Sequence, residues 1–265
     1  MRLKDKVAIV TGGGNGIGRE IARTFAAEGA NVVVVGRTLA QLERTVAEIR
    51  SRNGEAKAIR ADIADEGQVE RMVANTLDQY GQVDILVNNS AITGPTANVV
   101  DMQLDAWNEV LAINLTGAML CSREVLKQMI PRKSGTIIMM TSEGGRGGDG
   151  RAGYPKRSPY CCSKIAMIGL AETMAVEVGE YGIRVNAISP AGVRGERINR
   201  LMAERARTMG ISPEELIARH VSNYSLGRMA EESEIAAVAL FLASSESSAI
   251  TGQTIVANCG QHIIH

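Results

Sequence analysis

The chain has 265 residues, and its 29 Lys and Arg balance 29 Asp and Glu to a formal net charge of zero. That balance excludes the basic footprint of a duplex-binding protein, so no nucleic-acid partner is expected. A hydrophobic content of 45 % supports a sizeable core and excludes disorder over most of the chain.

After Met1-Arg2-Leu3-Lys4-Asp5-Lys6, which holds no apolar stretch of signal-peptide length, Val7-Ala8-Ile9-Val10 reads as a strand buried on both faces. A glycine-rich turn and a helix over 17–28 follow. Residues 32–35 form a second buried strand, far too short an apolar run for the roughly 18–20 residues of a membrane span. Next comes an amphipathic helix over 39–52, with Leu42, Val46 and Ile49 at helical spacing. Further strands are expected at 57–61, 84–87, 136–140, 183–188 and 254–256. Helices are expected at 66–80, 102–129, 159–181, 198–207 and 234–244. This alternation predicts an α/β fold, a parallel sheet of about seven strands with helices on both faces. Ligands then bind beyond the carboxyl ends of the strands. No linker or low-complexity segment interrupts the pattern, so 1–265 reads as one domain. Cys121, Cys161, Cys162 and Cys259 have no CxxC spacing and read as reduced thiols of a cytoplasmic protein. His220, His262 and His265 do not suggest a catalytic metal site, and no metal is expected.

Thr11-Gly12-Gly13-Gly14-Asn15-Gly16-Ile17-Gly18 lies between the first strand and the first helix. Gly12 permits a sharp turn out of the strand, Gly16 a close backbone approach to a pyrophosphate, and Gly18 close packing of the helix. The helix N-terminus offers N–H groups and a partial positive charge to the phosphate. A glycine string by itself is also what a plain loop looks like. Here it leaves a buried strand and opens a helix at the first βα turn, the context that dinucleotide binding demands.

The spacing is TGxxxGxG, and with it the chain resembles the short-chain dehydrogenase/reductase family. Asn88-Asn89-Ser90-Ala91 resembles that family's NNAG element, and Asn114 in Ile113-Asn114-Leu115-Thr116-Gly117 its helix asparagine. Tyr160-Cys161-Cys162-Ser163-Lys164 matches its YxxxK. Asn186-Ala187-Ile188-Ser189-Pro190 and Ile250-Thr251-Gly252-Gln253 resemble its later signatures. The elements occur in the family's order along nearly the whole chain. The resemblance implies a single-domain, Rossmann-type doubly wound sheet and an NAD(P)-dependent oxidoreductase. It also implies a homotetramer, with the helices around 102–129 and 159–181 at one interface. Cofactor contacts are implied for Gly12, Asn15, Gly16, Ile17, Gly18, Asn89, Ser90, Ala91, Tyr160, Lys164, Pro190, Gly192 and Val193.

Tyr160 and Lys164 stand four apart on a predicted helix and share one face. A phenol with a pKa of about 10 is a poor acid–base group at neutral pH, but a nearby ammonium stabilises the phenolate. Lowering that pKa by about three pH units takes roughly 4 kcal/mol. One lysine and the positive ring of oxidised nicotinamide can supply this in a desolvated site. A YxxxK pair is otherwise an ordinary surface feature; the surrounding motifs favour catalysis. Ser142 ends the fifth strand, where its hydroxyl can hold a substrate oxygen. Thr141 is the neighbouring candidate, but strand alternation and the resemblance favour Ser142. By resemblance Asn114 holds a water linking Lys164 to solvent; alternatively it fixes helix backbone. Tyr154 is set aside, because the residue four positions on is Ser158. The expected reaction is hydride transfer between nicotinamide and a carbonyl or alcohol carbon, with Tyr160 as acid in reduction and base in oxidation.

An NAD-specific site has a carboxylate at the end of the second strand. That position is Gly36, followed by Arg37 and Thr38. Glycine leaves room for a 2′-phosphate and Arg37 can pair with it, so NADP (NADPH) is favoured and NAD is possible. Asn15 is neutral where many NADP-using members carry a basic residue, and Arg37 also reads as a solvated helix-start residue. Asp62, with Ile63 beside it, resembles the residue that meets the adenine, or else caps the next helix.

Two regions, about 143–159 and 190–225, are expected to line the substrate site. The first holds six glycines and puts Tyr160 18 positions after Ser142. Arg146, Arg151, Lys156, Arg157, Arg194, Arg197 and Arg200 suit an anionic substrate or a phosphopantetheine carrier, or a solvated surface. Pro190-Ala191-Gly192 replaces the family's Pro-Gly, and Asn258-Cys259-Gly260 its C-terminal aspartate-glycine. Ile263-Ile264 exposes apolar residues unless another subunit covers them. The expected activity is 3-oxoacyl thioester or ketone reduction with NADPH. The alternatives are an NAD-dependent dehydrogenase of an aromatic, secondary or polyol alcohol, and a non-catalytic nucleotide-binding scaffold.

Overall fold

A strand whose consecutive residues are all apolar needs cover on both faces, and that requirement organises this molecule. The computed structural model describes residues 1–144, 154–222 and 224–261, except the side chains at 197, 200, 201, 204, 205 and 208. The first half runs β1 (Val7–Thr11), α1 (Gly16–Ala27), β2 (Asn31–Gly36), α2 (Leu39–Arg50), β3 (Glu55–Arg60), α3 (Glu66–Tyr80), β4 (Ile85–Asn88), α4 (Leu104–Leu111) and α5 (Gly117–Arg132). The second runs β5 (Gly135–Met140), α6 (Ser158–Val178), β6 (Ile183–Pro190), β7 (Val193–Arg194), α7 (Glu196–Met209), α8 (Pro213–Val221), β8 (Ala230–Glu231), α9 (Glu232–Ala243) and β9 (Thr254–Ala257).

Seven strands form one sheet in the order β3-β2-β1-β4-β5-β6-β9, every pair parallel. Alternate residues feed two cores. Ile9, Val33, Leu86, Ile137 and Val185 pack with α3, α5 and α6. Ala8, Val10, Val34, Val87 and Ile138 pack with α1, α2 and α9. The chain winds outward in one direction from β1 and in the other from β4. The reversal between these neighbours opens a crevice at the carboxyl edge. The opposite edge is pinned by Asp84, 4 % exposed. It accepts from Val7 N at 2.9 Å, Gln82 Nε2 at 2.8 Å and Arg132 Nη2 at 2.6 Å.

Two expectations need correction. The helix expected over 102–129 is not continuous: α4 passes through a π turn, Ala112–Thr116, before α5 begins. The widened turn holds Asn114, whose amide grips a distant loop instead of facing solvent. The region 190–225 contains α8 and the short β7, which pairs with β8 beyond it, besides a helix near 198–207. α8 carries a readable start: Ser212 Oγ accepts from Glu215 N at 3.0 Å, and Pro213 opens the first turn. No described helix is long and apolar enough to cross a membrane.

Candidate active site

The glycine-rich turn is built by what a side chain would collide with. Gly12 and Gly16 have φ of +66° and +54°, in the left-handed region. A Cβ on Gly18 would lie 2.3 Å from Gly12 O and 2.4 Å from Asn89 Nδ2. Gly18 therefore lets the first turn of α1 pack closely against the Gly12 turn and Asn89. Asn89 ties the turn to β4: Nδ2 donates to Thr11 O at 3.0 Å and Gly12 O at 3.3 Å. Thr11 Oγ1 accepts from the N–H groups of Asn89 and Ser90. At the start of α1, Asn15 is extended and makes no side-chain capping bond. The first-turn N–H groups then suit an anion. A glycine cradle that Cβ atoms would fill, opening a helix at the crevice, fits a dinucleotide.

The crevice is lined by Gly12, Asn15, Arg37, Thr38, Asp62, Ile63, Ser90 and Ala91 among the residues expected at the cofactor. Gln41, Leu42, Ile92 and Ile113 also line it and were not expected; their apolar or amide side chains carry no signal in sequence. Gly16, Ile17 and Gly18 belong to the adjoining start of α1. Asn89 is a brace for the loop, not part of the wall. Pro190, Gly192 and Val193 lie apart from this wall, at the end of β6 and in β7. Asp62 does not cap α3: Oδ1 accepts from Ala64 N at 3.0 Å, and the cap is Asp65, which accepts from Gln68 N at 2.9 Å. No carboxylate stands at the end of β2, where Gly36 is followed by exposed Arg37 on the rim.

The proposed chemistry gathers beyond β5. Thr141 Oγ1 donates to Ile188 O at 2.9 Å and is used inside the sheet. Ser142 Oγ accepts from Gly144 N at 3.1 Å. Tyr160 and Lys164 project from α6, with Lys164 Nζ 5.8 Å from the Tyr160 ring centroid. The lysine is 2 % exposed and donates to Met140 O at 2.6 Å; buried ammonium requires such partners. Asn114 Oδ1 accepts from Ile92 N at 2.8 Å, and Nδ2 donates to Ile92 O at 2.9 Å and to Ser163 Oγ at 3.0 Å. Its side chain thus does the backbone-fixing work weighed above as the alternative.

The Tyr154 ring packs on Gly144, and its N–H donates to Cys161 Sγ at 3.1 Å. Desolvation of its phenol pushes its pKa up, followed by the fields of Tyr160, Glu143 and Tyr224. Tyr224 stands opposite, its hydroxyl 3.2 Å from His220 Nε2. Burial pushes its phenol up to about 12; the Gly192 N–H opposes this and the Glu143 field adds to it. Of the basic residues, Arg194 Nε pairs with Glu231 at 3.3 Å and Arg157 Nη1 donates to Gly94 O at 2.8 Å. Lys156 is exposed. Arg146, Arg151, His262, Ile263, Ile264, His265 and the side chains of Arg197 and Arg200 lie outside the described residues.

The family model described as enoyl-(acyl carrier protein) reductase matches residues 12–262. The chain belongs to the short-chain dehydrogenase/reductase family. It is 35 % identical over 260 residues to a 3-oxoacyl-[acyl-carrier-protein] reductase of Staphylococcus epidermidis, covering 98 % of this chain and 100 % of that one. NAD+-bound xylitol dehydrogenase superposes with a TM-score of 0.89 at 31 % identity, over 97 % of this chain and 98 % of the other. Actinorhodin polyketide ketoreductase with NADPH gives 0.90 at 31 % identity, over 98 % of each. The protein is an NAD(P)-dependent oxidoreductase of this family.

Proposed function

We propose that this short-chain dehydrogenase/reductase interconverts a ketone and a secondary alcohol, with Tyr160 moving the proton. One observation carries the reading: Lys164 Nζ lies 5.8 Å from the Tyr160 ring centroid and donates to Met140 O at the carboxyl end of β5, two residues before Ser142. Bound nicotinamide supplies or accepts the hydride. Tyr160 gives its proton to the carbonyl oxygen in reduction and takes it back in oxidation. Ser142 holds that oxygen as charge develops. Lys164 stabilises the phenolate. Asn114 positions the neighbouring backbone.

NADPH is the proposed cofactor. Gly36 leaves space at the ribose end of the crevice and Arg37 supplies a charge for a 2′-phosphate. Thr38, Asp62 and Ile63 flank the adenosine portion, and Ser90, Ala91, Pro190, Gly192 and Val193 the remainder. The proposed assembly is a homotetramer. Val99, Val100, Leu104, Ile165 and Val176 are exposed around α4 and α6, which supports subunit contacts there. Four free cysteines favour the cytoplasm.

The test is Tyr160→Phe with two cofactor titrations. Turnover should be abolished while the NADPH Kd stays within about twofold, since the aromatic ring remains and only its hydroxyl is lost. Wild-type protein should bind NADPH at least about tenfold, or 1.4 kcal/mol, more tightly than NADH. Retained turnover in the variant overturns the acid–base role; equal or tighter NADH overturns the Arg37 role.

A further inference from the structure

A phosphate monoester carries a charge of about −1.5 to −2 at neutral pH, and Arg37 on the rim of the nucleotide crevice supplies a single positive charge. The rest of the wall does not make up the difference. Asn15 of the glycine turn is neutral, and its Nδ2 donates to Gln41 Oε1 at 3.4 Å. Asp62 lines the same wall and adds a negative charge. The start of α2, where Thr38 makes no side-chain capping bond, contributes about half a charge. A second full cation is needed, and β3 holds one.

Arg60 ends β3, directly across from Gly36 in the parallel register. Neighbouring strands lie about 4.8 Å apart, a gap that an arginine stem crosses. Alternation along β3 fixes the direction. Ala56 and Ala58 pack with α1, α2 and α9, whereas Ile59 and Ala61 pack into the other core. Arg60 is in step with Ala56 and Ala58, so it projects towards α2. That helix runs back along the strand: Arg50, its last residue, donates to Ala56 O at 2.8 Å near the start of β3. The opening of α2 at Thr38 therefore stands by the end of β3, beside Arg60. The next residue, Ala61, donates its N–H to Gly36 O at 3.0 Å and lines the crevice. Gly36 keeps the space between the arginines open, since a Cβ there would meet only Leu42 Cδ2, at 3.5 Å. Arg37 and Arg60 are both exposed, and neither has a carboxylate partner among the described residues.

Building on the NADPH reading, we infer that Arg60 is a specificity-determining residue, the second cation for the 2′-phosphate of the cofactor. Arg37 and Arg60 reach the phosphate from the ends of two adjacent strands and donate charge-assisted hydrogen bonds to different oxygens. A cofactor with a 2′-hydroxyl gains nothing from this pair. The other reading of Arg60 is a solvated strand end, and binding measurements separate the two.

The test is fluorescence titration of the full chain with NADPH and with NADH, in the absence of substrate. Wild type should bind NADPH at least about tenfold more tightly. Arg60→Ala should raise the NADPH Kd by about tenfold, or 1.4 kcal/mol, and leave the NADH Kd within about twofold. Arg60→Lys keeps the charge but loses the planar fork, so its NADPH Kd should fall between the two. Added salt should weaken NADPH binding more steeply in wild type than in Arg60→Ala, because the exposed contact is screened. Arg44→Ala removes an exposed cation from the second turn of α2 and should leave the NADPH Kd within about twofold. Given a wild-type preference for NADPH, an NADPH Kd within about twofold in Arg60→Ala overturns the inference alone. An equal loss for NADH also overturns it, because that marks a structural role. So does an equal loss in Arg44→Ala, which marks a diffuse field. Equal or tighter NADH binding by wild type, or binding of neither, overturns the NADPH reading and this inference with it.

Discussion

Replacing Gly18 with alanine should damage stability and cofactor binding together, and the structure sets the size. The new Cβ would sit 2.3 Å from Gly12 O and 2.4 Å from Asn89 Nδ2. The first clash is with backbone, so a rotamer change cannot relieve it. Asn89 must also swing away, losing its bonds to Thr11 O at 3.0 Å and Gly12 O at 3.3 Å. Each bond contributes about 1 kcal/mol, and the overpacking adds about 1–3 kcal/mol. A total of about 4 kcal/mol lowers Tm by roughly 8–16 °C for a chain of this size. The same shift separates the glycine turn from the start of α1, so the NADPH Kd should rise by at least about tenfold. Gly16→Ala is the control. Its nearest neighbour is Glu232 Oε1 at 3.7 Å, so only the left-handed φ of +54° opposes a side chain, at about 1–2 kcal/mol. Thermal melting and fluorescence titration with NADPH read both effects. The reasoning fails if Gly18→Ala melts within about 2 °C of wild type and binds within about threefold, or if Gly16→Ala is the less stable variant.

At the opposite edge of the sheet, Asp84→Ala should separate stability from catalysis. Losing a buried partner of Arg132 costs about 3 kcal/mol, the low end for such pairs because Arg132 is 31 % exposed. Tm should fall by roughly 6–12 °C, with kcat within about twofold at a permissive temperature; a larger loss of kcat contradicts this. Acid should expose the Arg228–Glu234 pair. Arg228 and the Glu231 N–H hold the Glu234 carboxyl down, from an ordinary 4.5 to about 2. A folded-state pKa below the unfolded one gives stability that is present above about pH 4.5 and is lost as pH falls towards 2. The side chains are 43 % and 44 % exposed, so the effect is small. Glu234→Gln should melt slightly below wild type at pH 7, and the gap should close near pH 2; a constant gap across that range refutes the assignment.

What could be read in the sequence was what neighbours in the chain decide. Val7 to Val10 and Val32 to Val35 are apolar on consecutive positions, which only a doubly covered strand accommodates. Gly12 to Gly18 follow one strand and open a helix, and Tyr160 and Lys164 are one helical turn apart. Contacts made by distant parts of the chain were not legible. The π turn exists because Asn114 meets Ile92, 22 residues earlier. The alternative reading of Asp62 as a helix cap falls because Asp65 holds that position. The packing of the Tyr154 ring on Gly144 joins residues ten apart. α8 is a different case, since Ser212, Pro213, Glu214 and Glu215 announce it and were passed over as substrate loop.

The π turn shows why nucleotide crevice and catalytic helix behave as one unit. Ile92 lines the crevice. Ser163 precedes Lys164 on α6. Asn114 holds both: it clamps the N–H and C=O of Ile92 and donates to Ser163 Oγ. Ser163 Oγ in turn donates to Tyr160 O at 2.7 Å, so the asparagine fixes the backbone from which the proposed acid–base pair projects. Both amide hydrogens and one of the two carbonyl lone pairs are used by these contacts. A regular helix turn would carry the amide to a different bearing, and the widened turn keeps it aimed between the two elements. The two roles weighed for Asn114 are therefore compatible. Its side chain sets the distance between crevice and tyrosine, and hydride transfer with proton transfer requires that distance to be fixed.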